Sequence, residues 1–254
     1  MRPIFWFRRS ASSMWRLAAL GGCVGFLVGW GAKTALATAP SPPVRIIRSV
    51  PVSAKVVALT FDDGPSPQYT PQILQLLQQY GAKATFFVVG QQLVRYPAIA
   101  REEYQDGMEL GNHGFRHLSL IGMDPTAIEA EVKPVEQEIT AITGQRPTLY
   151  RLPQGKGDAV ANRTLADMGY TVIYWNVDTR DYLESRTAAQ IASTVLKRIT
   201  PGSIVIFHDG GGNQQHTVDA LKTILPALGA EGYKEVTVSQ LLELASASPS
   251  SAGA

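Results

Sequence analysis

From residue 54 to residue 244 the chain alternates short apolar runs with longer amphipathic ones. Val56-Val57-Ala58-Leu59 is closed by Thr60-Phe61-Asp62-Asp63-Gly64-Pro65, the pattern of a short buried strand that ends in a turn. Thr70 then stands as a helix cap with Pro71 at the first position. Ile73, Leu74, Leu76, Leu77 and Tyr80 share one face of that helix, and Gly81 ends it. The same alternation predicts strands at 84–89, 108–112, 148–151, 171–175, 203–207 and 235–238. Helices are expected at 91–105, 125–143 (capped by Asp124), 158–168, 187–199, 218–228 and 239–244. A succession of strand–helix units is the pattern of a parallel sheet wound with helices.

Polar residues unusual for a core stand at the C-terminal ends of these strands: Asp62-Asp63, His113, Arg151, Asp178 and His208. An open sheet would spread them along a line, whereas a barrel gathers them on one face. The expected fold class is therefore α/β, a distorted (β/α)7-type barrel with its active site at the C-terminal ends of the parallel strands.

The two ends of the chain read differently. Residues 1–37 place Arg2, Arg8, Arg9 and Arg16 before an uncharged, largely apolar run at 17–32, and small-x-small patterns follow at 35–37 and 37–39. This is the layout of a signal peptide or N-terminal membrane anchor. The run is shorter than the ~20 residues of an ordinary spanning helix, which ranks cleavage ahead of anchoring through residues 17–32. A lipoprotein-like Leu20-Gly21-Gly22-Cys23 ranks third, and Arg8-Arg9 is a weak twin-arginine signal. Each route exports the working domain to a periplasm, a cell envelope or the medium. Residues 38–53, with Pro40, Pro42, Pro43 and Pro51, read as an extended linker, and the Ser/Ala-rich tail 245–254 as disordered.

Charge and cysteine usage then narrow the function. The formal net charge is +2, but the first 50 residues hold seven basic residues and no acid, so the rest is acidic on balance. No basic face beyond residue 50 is left to serve a nucleic acid. The single cysteine, Cys23, lies in the N-terminal segment, so the exported domain has neither disulfide nor thiol ligand, and any metal must be held by His, Asp and Glu.

The strand ends carry five clusters. Asp62 and Asp63 repel each other at contact distance, which a cation would offset, although Asp-Asp-Gly-Pro is also good turn chemistry. His113 and His117, at i and i+4 after a strand, can reach one ion. Arg151 can pair with a nearby carboxylate and hold it ionised, and the following Pro153 and Gly155 suggest a tight turn. Trp175 and Tyr182 flank Asp178 and Asp181, and aromatics beside carboxylates suit sugar rings, while Trp175 reads equally well as core. His208 directly follows an apolar strand and is a candidate general acid. Gly210-Gly211-Gly212 lacks the lysine of a phosphate loop, and His216 reads as solvent-exposed.

In order and spacing, residues 60–65, 113–117, 151–155, 178–182 and 204–208 resemble the five motifs of the polysaccharide deacetylases, also called the NodB homology domain or carbohydrate esterase family 4. Residues 232–239 resemble that family's final strand and helix, and the resemblance covers about residues 52–244, within an expected catalytic domain at 54–244. It implies that Asp63, His113 and His117 hold a divalent metal, with zinc first and cobalt or another divalent ion next. Asp62 would be the general base toward water, with Arg151 as its partner. His208 would protonate the departing amine, oriented by Asp181. Ile206 would meet the acetyl methyl, and a backbone N–H near Gln154 would hold the oxyanion. Gln154 stands where the family usually has an aromatic, and Tyr182 where it has tryptophan; both border the sugar groove. The function this implies is N-deacetylation of an N-acetylglucosamine polymer, peptidoglycan first and chitin-like oligomers second. An acetylxylan-type O-deacetylase and a non-catalytic carbohydrate-binding protein are the alternatives.

Overall fold

The computed structural model describes residues 43–247 of the chain. The expected signal or anchor at 1–37 lies outside them, as do residues 248–254 of the expected tail, whereas its first three residues, expected as disordered, are the end of the last helix. Among the described residues no helix is long and apolar enough to cross a membrane.

The central sheet is built from β1 (Ile46–Ile47), β2 (Val56–Asp62), β3 (Ala84–Val88), β4 (Glu109–Asn112), β5 (Leu149–Tyr150), β6 (Thr171–Ile173), β7 (Val177–Asp178), β8 (Ile204–His208) and β9 (Lys234–Glu235). Its order is β1-β6-β5-β4-β3-β2-β8-β7, with β9 beside the start of β2, and every pairing is parallel. Helices α1 (Thr70–Gln79), α2 (Gly90–Arg95), α3 (Pro97–Gln105), α4 (Pro125–Thr143), α5 (Ala159–Asp167), α6 (Ala188–Arg198), α7 (Gln215–Ala230) and α8 (Val238–Ala247) complete the α/β distorted barrel.

The period of two along each strand sorts the side chains between the helices and the barrel interior. On β2, Val57, Leu59 and Phe61 join one buried cluster with residues of α1, α6 and α7. Val56 and Ala58 join another with Phe87, Leu149, Ile173 and Ile204. Thr60 and Asp62 follow the second set, so the strand's polar residues point inward. Phe61 stacks between Phe86 (5.0 Å) and Phe207 (5.4 Å), its register partners on β3 and β8. Each ring contributes roughly 1.5–3 kcal/mol through burial, locking the register that brings Asp62 opposite His208. The other end of the barrel is closed by α8, whose Val238 N–H donates to Thr85 Oγ1 (2.9 Å) and whose Ser239 N–H donates to Glu109 (3.1 Å).

Four local expectations are corrected. The stretch expected as a linker to residue 53 enters the domain early: β1 pairs with β6, and Val50, buried, donates its N–H to Gly202 O (2.9 Å). The helix expected at 91–105 breaks into α2 and α3 at Tyr96, because the proline that follows disfavours helical geometry there. Thr70 is not a cap but the first residue of α1; its hydroxyl accepts from Ser66 N–H (2.7 Å) and donates to the Asp209 carboxylate. The strand expected at 171–175 ends at Ile173 as β6, and an unforeseen strand, β7, follows three residues later, so the segment leaves β5 and joins β8. The connection is too short for a helix. Asn176 stitches it to β8, donating N–H to Ile204 O (3.2 Å) and accepting Ile204 N–H (2.8 Å).

Candidate active site

At the C-terminal ends of these strands lies a cavity of about 410 Å³ lined by Asp62, Asp63, His113, His117, Gln154, Gly155, Lys156, Trp175, Asp178, Tyr182, Ile206 and His208. The five sequence clusters thus meet at one place. Asp62 ends β2 with its side chain inward, whereas Asp63 adopts a left-handed backbone (φ 74°) that turns its carboxylate back toward the same cavity. Aspartate tolerates that conformation better than most residues. The loop after β8 packs on this turn so closely that a Cβ at Gly210 would lie 2.1 Å from Asp63 O. The glycines after His208 therefore serve close approach to Asp63.

One side of the cavity holds the imidazoles. His113 Nδ1 lies 2.8 Å from Arg151 O, which fixes Nδ1 as the donor and leaves the Nε2 lone pair facing the carboxylates. Asp63 Oδ1 is 3.5 Å from His113 Nε2 and 3.2 Å from His117 Nε2. The three donor atoms lie within 4.8 Å of one another. Burial pushes the Asp63 carboxyl up, but the neighbouring His113, His117 and His208 outweigh it and bring it down to about 2. Asp63 Oδ1 is nonetheless buried without a hydrogen bond. A cation among the three donors would satisfy that orphaned oxygen, and two imidazoles with a carboxylate are a donor set that leaves coordination positions open. The residues present fit a divalent metal.

Arg151 crosses the barrel interior, 1% exposed. Its Nη1 donates to Asp62 Oδ1 and to Thr60 Oγ1, both at 2.7 Å, while Nε and Nη2 reach Ile173 O and Tyr174 O. Its guanidinium lies 4.1 Å from the Phe87 ring centre and 5.5 Å from that of Trp175. Bonded and stacked on all sides, it ties one oxygen of Asp62; the other stands 3.7 Å from His113 Nε2.

Opposite, His208 Nδ1 lies 2.8 Å from Asp181 Oδ1. Asp181, buried, also accepts His208 N–H (2.7 Å) and the Thr217 hydroxyl (2.8 Å). Burial would push the His208 imidazole down, but the hydrogen bond and charge of Asp181 prevail, with help from Asp62 and Asp63, raising it to about 9. The exposed Tyr182 ring meets His208 edge-on at 5.5 Å. Gln154 holds the turn after β5 with φ 59°, Trp175 packs over Gly155, and buried Ile206 lines the cavity.

Three participants carried no usable signal in the sequence. Thr60, read only as part of the 60–65 stretch, accepts from Arg151 Nη1 and donates to Val205 O (both 2.7 Å). Lys156 lines the cavity because the 153–155 turn carries it there. Asp209, fully buried beneath the 62–64 turn, was visible only as the residue after His208. His216 is exposed as expected, and its Nδ1 is 2.6 Å from Arg186 O.

A barrel-mouth cavity with a carboxylate–arginine pair, a His-His-Asp donor cluster and a carboxylate–histidine pair has the parts of a hydrolytic centre. The family model described as polysaccharide deacetylase matches residues 49–173. A peptidoglycan-N-acetylglucosamine deacetylase of Bacillus cereus is 39% identical over 203 residues, 79% of this chain and 94% of that protein. A chitooligosaccharide deacetylase of a Bradyrhizobium species is 34% identical over 197 residues, 73% and 90% of the two chains. A crystal structure of the Bc1960 peptidoglycan N-acetylglucosamine deacetylase in complex with 4-naphthalen-1-yl-N-oxidanyl-benzamide superposes with a TM-score of 0.74 at 31% identity, covering 77% of this chain and 92% of that one. The chain belongs to the polysaccharide deacetylase family and is a hydrolase of carbon–nitrogen amide bonds.

Proposed function

We propose that this protein is an exported, metal-dependent N-deacetylase that removes acetyl groups from N-acetylglucosamine units of peptidoglycan. The observation that carries the reading is the single cavity that gathers the Asp63, His113 and His117 donors with Asp62, paired to Arg151, and His208, paired to Asp181. Export rests on the basic and then apolar N-terminal segment.

Asp63, His113 and His117 would hold the cation, zinc being the first candidate for an N/O donor set with open positions. When bound, it supplies a Lewis acid that polarises the acetamide carbonyl and acidifies water. Asp62 takes the proton from the attacking water; Arg151 holds its other oxygen and keeps that side chain aimed into the cavity. As the C–N bond breaks, His208 gives its Nε2 proton to the departing amine, while Asp181 fixes the Nδ1 proton and the ring's orientation. Acetate and a free amino sugar result. Tyr182, Trp175 and Gln154 border the space a sugar ring would occupy, and Ile206 offers the acetyl methyl an apolar contact.

His208 must be protonated to act as an acid, so activity is expected to fall as pH rises through its pKa. That limb belongs between the ordinary 6.5 and the raised value of about 9, since a bound cation opposes the contributions of Asp62 and Asp63. The raised pKa also means that the imidazolium's contribution to stability is fully present below 6.5 and is lost as pH rises through about 9. Asp181→Asn removes the main upward influence and is expected to move the limb of kcat toward lower pH. A limb that stays in place would show that another group donates the proton.

The experiment that tests the substrate is mass-spectrometric detection of acetate loss from peptidoglycan, chitooligosaccharide and acetylxylan side by side. Peptidoglycan is expected to lose acetyl groups fastest. Preference for acetylxylan would replace the amide reading with an esterase, and no release from any of the three would favour carbohydrate binding alone.

A further inference from the structure

We propose that Glu131 is a positioning residue for the metal-binding loop, acting through the backbone of Arg116 to place His117; this rests on the metal reading above. Helix α4 buries a stripe of Ile128, Glu131, Val132, Val135 and Ile139, and Glu131 is the one acid in that stripe, with its side chain 2% exposed. A carboxylate in an apolar helix face is retained only where its oxygens are engaged. Both are: Oε2 accepts the Arg116 backbone N–H (2.9 Å) and Oε1 accepts Arg116 Nε (2.6 Å).

Arg116 lies inside the 113–117 loop, next to His117. The first half of that loop is tied elsewhere: Gly90 N–H donates to Gly114 O (3.0 Å), Gln91 N–H to Phe115 O (2.9 Å), and Gly114 N–H to Asn112 Oδ1 (2.9 Å). His113 is fixed by Arg151 O. The second half must turn His117 into a left-handed backbone conformation (φ 57°), one that few residues other than glycine adopt and that sets where the imidazole points. The buried Glu131 carboxylate supplies an anchor one residue before that turn. The Arg116 side chain, 55% exposed, screens the carboxylate but does not face the cavity donors. The bond that matters for His117 is therefore the one to the backbone N–H.

Three variants separate this role from ordinary support of the fold. Zn2+ affinity would be measured by chelator competition, the visible spectrum recorded with Co2+, and the metal-free melting temperature taken in parallel. Glu131→Ala is expected to weaken Zn2+ binding about 10–100-fold, the usual effect of losing a residue that orients a ligand, and to alter the Co2+ bands. Glu131→Gln, which keeps an acceptor for the Arg116 N–H, is expected to recover most of the affinity. Arg116→Ala, which keeps the backbone bond, is expected to bind within about threefold of the unmodified protein, well short of the 10–100-fold loss expected for Glu131→Ala. If Glu131→Ala does not fold, the Gln and Arg116→Ala variants still decide: a loss in both as large as 10-fold overturns the backbone role. Unchanged affinity and spectrum in Glu131→Ala overturn the inference alone. An unmodified protein that binds neither ion overturns the metal reading, and this inference with it.

Discussion

Asp62→Asn is expected to lower the rate of acetate release by about 10²–10⁴-fold, the range for loss of a general base, while the protein keeps its metal. The two carboxylates of the 60–65 turn are adjacent in sequence, yet their surroundings differ. Asp63 faces two imidazole nitrogens at 3.2 and 3.5 Å, whereas Asp62 is tied to Arg151 at 2.7 Å with its other oxygen toward the cavity. Asparagine keeps an oxygen for Arg151 Nη1 and so preserves the shape of the site. It withdraws the negative charge beside a fully buried guanidinium, which is expected to cost up to about 3–5 kcal/mol of stability. Metal content and circular dichroism of the variant separate lost chemistry from lost folding. Acetate release at the unmodified rate, from protein with full metal content, would remove Asp62 from the role of base.

Metal removal has the other large effect. Stripping the protein with a chelator is expected to suppress deacetylation by on the order of 10³-fold or more, because Lewis-acid stabilisation of the transition state is worth several kcal/mol. Added zinc or cobalt should restore the rate. The fold should persist without metal, since the phenylalanine stack and the α8 plug are independent of the donor cluster. His117→Ala should imitate the chelator, as His117 is a half-exposed donor whose removal leaves the buried Arg151 network intact. A chelator-treated protein with undiminished activity would sink the metal mechanism, and the Asp63–His113–His117 cluster would then need another purpose.

Much of the architecture was legible because strand and helix periodicity are local properties. The run Val56–Asp62 declares its alternation without reference to any other part of the chain, and so do the amphipathic helices that follow. Legibility failed where a partner far away in sequence decides the outcome. Ile46–Ile47 lies among prolines and looks like a tether until β6 offers an edge to pair with. Thr70 has the chemistry of a cap, yet a buried Asp209, 139 residues on, recruits its hydroxyl. Glu131 sits at a helical spacing that suggests core, and only the proximity of Arg116 gives a charge reason to be there.

The sequence by itself determined that the fold is a parallel α/β barrel and that Asp62, Asp63, His113, Arg151 and His208 fall at strand ends, because turn chemistry and periodicity set those positions. Periodicity and turn chemistry did not say how the carboxylates share Arg151 and the imidazoles of the cavity; only the family resemblance implied that division. That division was made by the tertiary structure: the left-handed turn at Asp63, the reach of Arg151 across 89 residues to Asp62, and the seating of Asp181 against His208. The physical reason is distance along the chain. A side chain's conformational preference is encoded beside it, but its electrostatic neighbours are chosen only when strands far apart in sequence come into register.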